Sequence, residues 1–235
     1  MVRRKRGSVN ALSSIGVELP EPLSRFIARK LGEAIESGRY GAGERLSEDA
    51  IATEFGTSRG PVREALGHLE REELVEITPR RGARVIEFTP EALDQMFELR
   101  AVLYALAVEG FARNASAKDL ADYDRLATDL GIENAAKMAP VDFARATQTL
   151  SAYIVARSGN ARLAALMRKM TRQAFRHYAV LVHGTPEHRA NTVRAGKAMR
   201  EAIGARQPKR AFALARAIVE ANRHAAMAAL KAARS

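Results

Sequence analysis

Arg59 and Arg63 stand four residues apart, a spacing that puts two guanidinium groups on one face of a helix. Such a group can fork two donors onto O6 and N7 of guanine, or clamp a phosphate. Ser58 precedes the pair, and Gly60 lies between them, where the lack of a side chain lets backbone approach a duplex closely. A second basic group, Arg80, Arg81 and Arg84, surrounds Gly82. These residue types suit double-stranded DNA; the same residues could also form a solvated basic face in some other α+β domain. A third set lies further on. Arg168, Arg172 and Arg176 recur every four residues, with His177 adjacent. On a helix they make one cationic stripe able to bind an anionic small molecule, with Arg100 or Arg145 contributed from facing helices. Gln148, Tyr153 and Tyr178 are candidate polar groups of such a pocket.

The first two sets need rigid elements to present them. Leu23, Phe26, Ile27, Leu31 and Ile35 recur at helical spacing after Pro20, and Gly38 to Gly43 end that helix. Ser47 is placed to cap a short helix over Asp49 to Phe55, with Glu48 and Asp49 in its first turn. Gly56 breaks it. Ser58 is placed to cap a third helix, Arg59 to Glu73, in which Pro61 is tolerable because it falls in the first turn. Two strand-like runs follow, Val75 to Thr78 and Ala83 to Phe88, joined by Pro79-Arg80-Arg81-Gly82. Helix, short helix, turn, helix and basic-tipped hairpin is the layout of a winged helix-turn-helix, here over residues 18–88.

Thr89-Pro90 restarts the chain as a helix, and the pattern stays helical to the end. Helices are expected near 90–114, 117–131, 139–157, 160–183, 187–206 and 208–233. The fold class is therefore mostly α: an N-terminal winged helix-turn-helix, then an all-α antiparallel bundle over 89–235 able to enclose a ligand. Residues 1–17, basic and then small and polar, read as a flexible arm.

Composition removes whole classes of function. Of 235 residues 47% are hydrophobic, enough for a core, and the longest apolar run is Ala101 to Val108, far short of the ~20 residues of a membrane span. Zero cysteines exclude disulfides, thiolate metal sites and cysteine nucleophiles. A soluble cytoplasmic protein without membrane partners is expected. The net charge of +11 is unevenly spread, with 15 basic against 14 acidic residues in 1–90, 6 against 10 in 91–156, and 17 against 3 in 157–235. The basic excess thus lies outside the candidate DNA reader. An enzyme is not expected: there is no Gly-rich phosphate loop, no metal set and no usefully spaced carboxylate pair.

The motifs also carry a resemblance. Gly43-Glu44-Arg45-Leu46-Ser47-Glu48, then the run from Ala52 through Gly56-Thr57-Ser58-Arg59-Gly60-Pro61-Val62-Arg63-Glu64-Ala65-Leu66, then Arg80-Arg81-Gly82-Ala83-Arg84-Val85, resemble the GntR family of bacterial transcription regulators. Phe97-Glu98-Leu99-Arg100 and Ser158-Gly159-Asn160 resemble its FadR-like branch, whose effector domain is a helical bundle of the FCD type. The resemblance implies a homodimeric repressor or activator, here expected to be a repressor, that binds a palindromic operator and responds to a small metabolite, often a carboxylate. It implies DNA contacts from Ser58, Arg59, Gly60, Arg63, Arg81 and Gly82, with Arg45 a further phosphate contact. The effector candidates are Arg100, Arg145, Gln148, Arg172, Arg176 and His177.

Many relatives hold a metal through one Asp and three His. Counting from the Ser-Gly-Asn turn places the Asp position at Thr147 and the first His position at Ser151; the others fall near Gly196 and Ile218. None supplies a usual ligand, so no metal and no other cofactor is expected. His183 and His188, flanking a Gly-Pro turn, are expected at the surface. Two alternatives stand beside the regulator: a constitutive DNA binder that has lost ligand control, and an architectural protein without sequence preference.

Overall fold

The computed structural model describes residues 21–232, with side chains throughout except over 172–180. The arm at 1–17 lies outside the described residues.

The first unit contains helices α1 (Leu23–Glu36), α2 (Glu48–Glu54) and α3 (Arg59–Arg71), and strands β1 (Arg45–Leu46), β2 (Val75–Thr78) and β3 (Gly82–Val85). The strands form an antiparallel sheet in the order β1-β3-β2, with Arg45 opposite Arg84 and Thr78 opposite Gly82. Ile27, Leu31 and Ile35 of α1 bury against Val62, Leu66 and Leu69 of α3, and Leu46, Ile51, Val75 and Val85 close the core. Two details of the sequence reading change. Leu23 and Phe26 stay partly exposed, and Phe26 packs edge-on against Phe55, ring centroids 6.3 Å apart. The second strand also ends at Val85 rather than Phe88.

Ser47 caps α2 as expected, its hydroxyl accepting from the N–H of Ala50. Ser58 sits at the N-cap of α3 but takes no backbone hydrogen bond. The third position of that helix is Pro61, which has no N–H to donate.

The second unit contains α4 (Pro90–Asn114), α5 (Ala117–Asp129), a 3-10 turn (Ile132–Asn134), α6 (Pro140–Ala156), α7 (Ala161–Val182), α8 (Pro186–Gly204) and α9 (Pro208–Ala232). Local caps set most of the boundaries. Thr89, Ser116, Asn160 and Thr185 each accept a backbone N–H three residues on, and Ser116 and Asp119 form a reciprocal capping box. α4 is the axial helix and packs chiefly against α9, with α6, α7 and α8 around it. Arg223 of α9 clamps Asp94 of α4 with two bonds of 2.6 Å and reaches Glu98 at 2.9 Å. That clamp holds the Asp94 carboxyl below its ordinary range.

The tightest approach is at Gly110 of α4. A Cβ there would stand 2.3 Å from the carbonyl oxygen of Ser158, in the turn between α6 and α7. That contact cannot be accommodated without moving backbone. Gly110→Ala is expected to cost about 3 kcal/mol of stability, seen as a fall of roughly 6–12 °C in thermal midpoint by circular dichroism. An unchanged midpoint would mean that the two elements slide apart freely.

Candidate nucleic-acid interface and effector cavity

The open end of α3 and the β2–β3 hairpin present the basic residues. Arg59 and Arg63 keep 59% and 65% of their side-chain surface exposed although both are ion-paired. Arg63 Nε donates to Glu48 Oε2 at 2.8 Å, and Arg59 Nε pairs with Asp49, so the first turn of α2 holds both. Gly60 has no neighbour nearer its absent Cβ than the Ser58 hydroxyl, at 3.9 Å, so this end of the helix is open. In the hairpin, Arg81 N–H closes a turn on Thr78 O at 3.0 Å. Pro79 precedes Arg80, which takes φ +66, and Gly82 takes φ +79. The positive φ favours glycine at position 82, and Arg45 lies across the hairpin beside it, its Nε at an ordinary contact distance of 3.8 Å from where a Cβ would stand. Arg84 is used differently: its Nη1 donates to Gly43 O at 2.9 Å and ties the sheet to the loop before β1.

A cavity of about 330 Å³ lies inside the helical unit, within the size range of small-metabolite sites. Arg100 and Gln148, both expected at an effector site, line it. Arg100 is buried, 8% exposed, and donates to Thr171 Oγ1 of α7 at 2.9 Å. Arg145 projects to solvent from another face of α6 and is not part of the wall. The Tyr153 hydroxyl is used elsewhere, donating to Asp119 O at 3.1 Å. Arg168 is exposed; the side chains of Arg172, Arg176, His177 and Tyr178 lie outside the described residues.

Other wall residues escaped the sequence reading. Lys197 and Arg200 of α8 face the cavity; Lys197 pairs with Glu133 at 3.0 Å, and Arg200 grips Asp124 with bonds of 2.7 and 2.6 Å. With Arg100 they make three cations to two carboxylates in the wall. Tyr123 lies deep there, and burial pushes its hydroxyl up to about 12.

His183 corrects an expectation. It is fully buried, with Phe143 edge-on at 4.9 Å and His188 at 5.9 Å between ring centroids. His188 is half-buried and bonds Asn222 Oδ1 through Nε2 at 2.9 Å. Sequence spacing could not show this, because α6 supplies the covering ring from forty residues upstream. Burial, with His188 and Arg189 nearby, pushes the His183 imidazole down from 6.5 to about 3. The unfolded chain takes up a proton below 6.5 that the folded chain refuses until about 3. Stability therefore falls as pH drops through that window, and above it the neutral ring adds no slope. Between pH 7 and 5 the loss is about 2 kcal/mol. His183→Gln is expected to flatten this limb in urea unfolding series; an identical slope would assign the loss elsewhere.

Thr147 and Ser151, with Gly196 and Ile218 near the other two positions at which the family resemblance places metal ligands, all line this cavity. They do not fit a divalent metal. Two offer neutral hydroxyls, one an alkyl chain and one nothing, and the Thr147 hydroxyl turns back to Phe143 O and Ala144 O. Among the described residues no group of three or more His, Cys, Asp or Glu side chains is placed to share a metal ion. Nor, among them, is any helix long and apolar enough to cross a membrane.

A winged helix with arginines at the open end of its third helix, joined to a helical domain around a metabolite-sized cavity, defines a class of DNA-binding transcription regulators. The chain belongs to the GntR family: residues 23–85 match the bacterial regulatory proteins of the gntR family, and residues 95–221 match the FCD domain. It is 27% identical over 179 residues to the uncharacterized HTH-type transcriptional regulator YdhC of Bacillus subtilis, covering 75% of this chain and 78% of that protein. It is 36% identical over 104 residues to the gluconate operon transcriptional repressor of Bacillus licheniformis, covering 44% of this chain and 40% of the relative. Among solved structures, E. coli McbR/YncC shares the fold with a TM-score of 0.71 at 20% identity, over 84% of this chain and 93% of that one. A putative GntR regulator from Rhodococcus sp. RHA1 does so with a TM-score of 0.71 at 23% identity, over 89% and 98%.

Proposed function

We propose that this chain is a homodimeric repressor that binds a palindromic operator and releases it in response to a small anionic metabolite. The observation that carries the reading is the pair Arg59 and Arg63 at the open end of α3, with Arg45, Arg81 and Gly82 gathered at the hairpin beside it. α3 enters the major groove with Ser58, Arg59, Gly60 and Arg63, and the hairpin contacts the backbone. Repression as the sign is supported by the relatives named as gluconate operon repressors.

The dimer forms through α4. Leu99, Val102 and Leu106 recur at i, i+3 and i+7 and stay 61%, 51% and 44% exposed. α7 packs against α4, and its Leu166 is also exposed, at 48%. A second copy of the stripe is the self-complementary partner. The effector sits in the cavity with no divalent metal, its negative group met by Arg100, Lys197 and Arg200 and oriented by Gln148. The side chains of Arg172, Arg176 and His177 remain candidates for the same ligand.

The test is fluorescence anisotropy with a duplex from the promoter region beside the regulator's own gene and with its scramble, at two salt concentrations. A preference of ~10³ or more for the native duplex, and release by a small carboxylate in the presence of EDTA, support the reading. Equal binding to both duplexes with a steep salt slope would replace it by the architectural alternative. Preference without release by any small acid would leave the constitutive binder.

A further inference from the structure

We propose that Glu48 and Asp49 are positioning residues that set DNA sequence discrimination, by holding Arg63 and Arg59 in a base-reading posture before DNA arrives. The inference rests on the reading that α3 enters the major groove. Its basis is the pairing itself. Both arginines reach sideways from α3 to α2, and both are held through Nε: Arg63 by Glu48 Oε2 at 2.8 Å, Arg59 by Asp49 Oδ1. A guanidinium held at Nε presents its outer edge, Nη1 and Nη2, and that edge forks onto O6 and N7 of guanine. The exposure of both side chains agrees with outer edges turned to solvent.

The carboxylates are themselves anchored. Glu48 and Asp49 occupy the first turn of α2, where the helix dipole favours negative charge, and Ser47 caps the same turn. Ile51 and Ala52 bury α2 against the core, so the acids have a fixed place relative to α3. Stability does not explain the arrangement, because exposed ion pairs contribute little to folding. Two consequences for DNA follow. A restrained arginine loses less rotamer freedom when it meets a base edge. A carboxylate beside each guanidinium also repels phosphate, so the loose backbone-clamping mode that serves any sequence is disfavoured. The acids therefore raise the ratio of specific to non-specific affinity by lowering affinity for non-specific DNA.

The experiment uses the full-length protein, the tightest 30-base-pair duplex the wild type selects from a randomised pool, and a scramble of that duplex. Glu48→Gln and Asp49→Asn remove charge at nearly constant shape, and thermal melts establish that both fold. Each variant is expected to bind the scramble about 3- to 10-fold more tightly, with a salt slope steeper by about one per half-site. The ratio of specific to scrambled affinity is expected to fall about 10-fold. In an Arg63→Ala background, Glu48→Gln is expected to leave that ratio unchanged, because the acid acts through the arginine. Equal tightening on both duplexes would overturn the proposal, showing the acids to be general repellents. So would a ratio that stays constant or rises. If Arg59→Ala and Arg63→Ala themselves leave the ratio intact, the placement of α3 in the groove fails, and this proposal with it. If those two lower the ratio while the acid variants do not, only this proposal fails.

Discussion

Arg59→Ala is expected to lower affinity for the preferred duplex by about 30- to 10⁴-fold while weakening binding to a scramble far less. One bidentate arginine–guanine contact carries about 1–3 kcal/mol of discrimination, and the proposed symmetric dimer would make it twice. Folding is not expected to suffer, since Arg59 and its partner Asp49 are 59% and 64% exposed. Arg81→Ala at the hairpin tip behaves differently. It weakens both duplexes alike and lowers the salt slope by about one per half-site, as loss of a phosphate contact does. Anisotropy titrations of both variants on both duplexes separate the roles. If Arg59→Ala shows the uniform pattern and Arg81→Ala the selective one, the hairpin and not α3 reads sequence.

Arg189→Met is expected to be the most destabilising exchange in the helical domain. Arg189 is 4% exposed, and its guanidinium is bonded to backbone. Nε donates to Ala135 O at 2.8 Å, Nη1 to His183 O at 2.7 Å and Gly184 O at 3.3 Å, and Nη2 to Ala136 O at 3.2 Å. One cation thereby joins the segment after the 3-10 turn to the α7–α8 connection, two stretches of irregular chain. Methionine fills similar volume but leaves those carbonyls without donors, at a cost of about 3–5 kcal/mol. The thermal midpoint is expected to fall by roughly 6–20 °C. Arg189→Lys recovers only part, because one ammonium cannot span both segments. A Met variant melting within a few degrees of wild type would show that water or local rearrangement satisfies the carbonyls. The cavity wall should loosen in parallel, as Ile132, Glu133 and His183 flank this staple and line the cavity.

Much of this architecture was legible because its punctuation is local. Ser47, Thr89, Ser116 and Asn160 each satisfy an N–H three residues away, so helix starts can be read within a short window. β1 was not legible. Two residues carry no periodicity, and Arg45-Leu46 becomes a strand only by pairing with Arg84 and Ala83 far along the chain. The candidate DNA residues were readable from motif order, but their ionic tethers to α2 were not, because an acid in a first turn already has a sufficient local explanation. In the cavity, Arg100 and Gln148 were found, whereas Lys197 and Arg200 were not. A cation on α8 looks the same in sequence whether it faces solvent or a cavity carboxylate supplied by Asp124 or Glu133. His183 failed for the related reason that burial is decided by Phe143 and its neighbours, not by an adjacent glycine and proline.

The close approach of Gly110 to Ser158 has a meaning for how this chain can diverge. Every amino-acid replacement of a glycine introduces a Cβ, and at Gly110 that atom would stand 2.3 Å from the Ser158 carbonyl oxygen, so the position has no neutral replacement to drift through. Thr147, Ser151, Gly196 and Ile218 sit in the cavity wall instead, and a Cβ added at Gly196 would meet nothing within 4 Å. The chain thus combines a frozen helix crossing with an editable chamber, and lineages descending from it can change what the chamber accepts while inheriting the same frame.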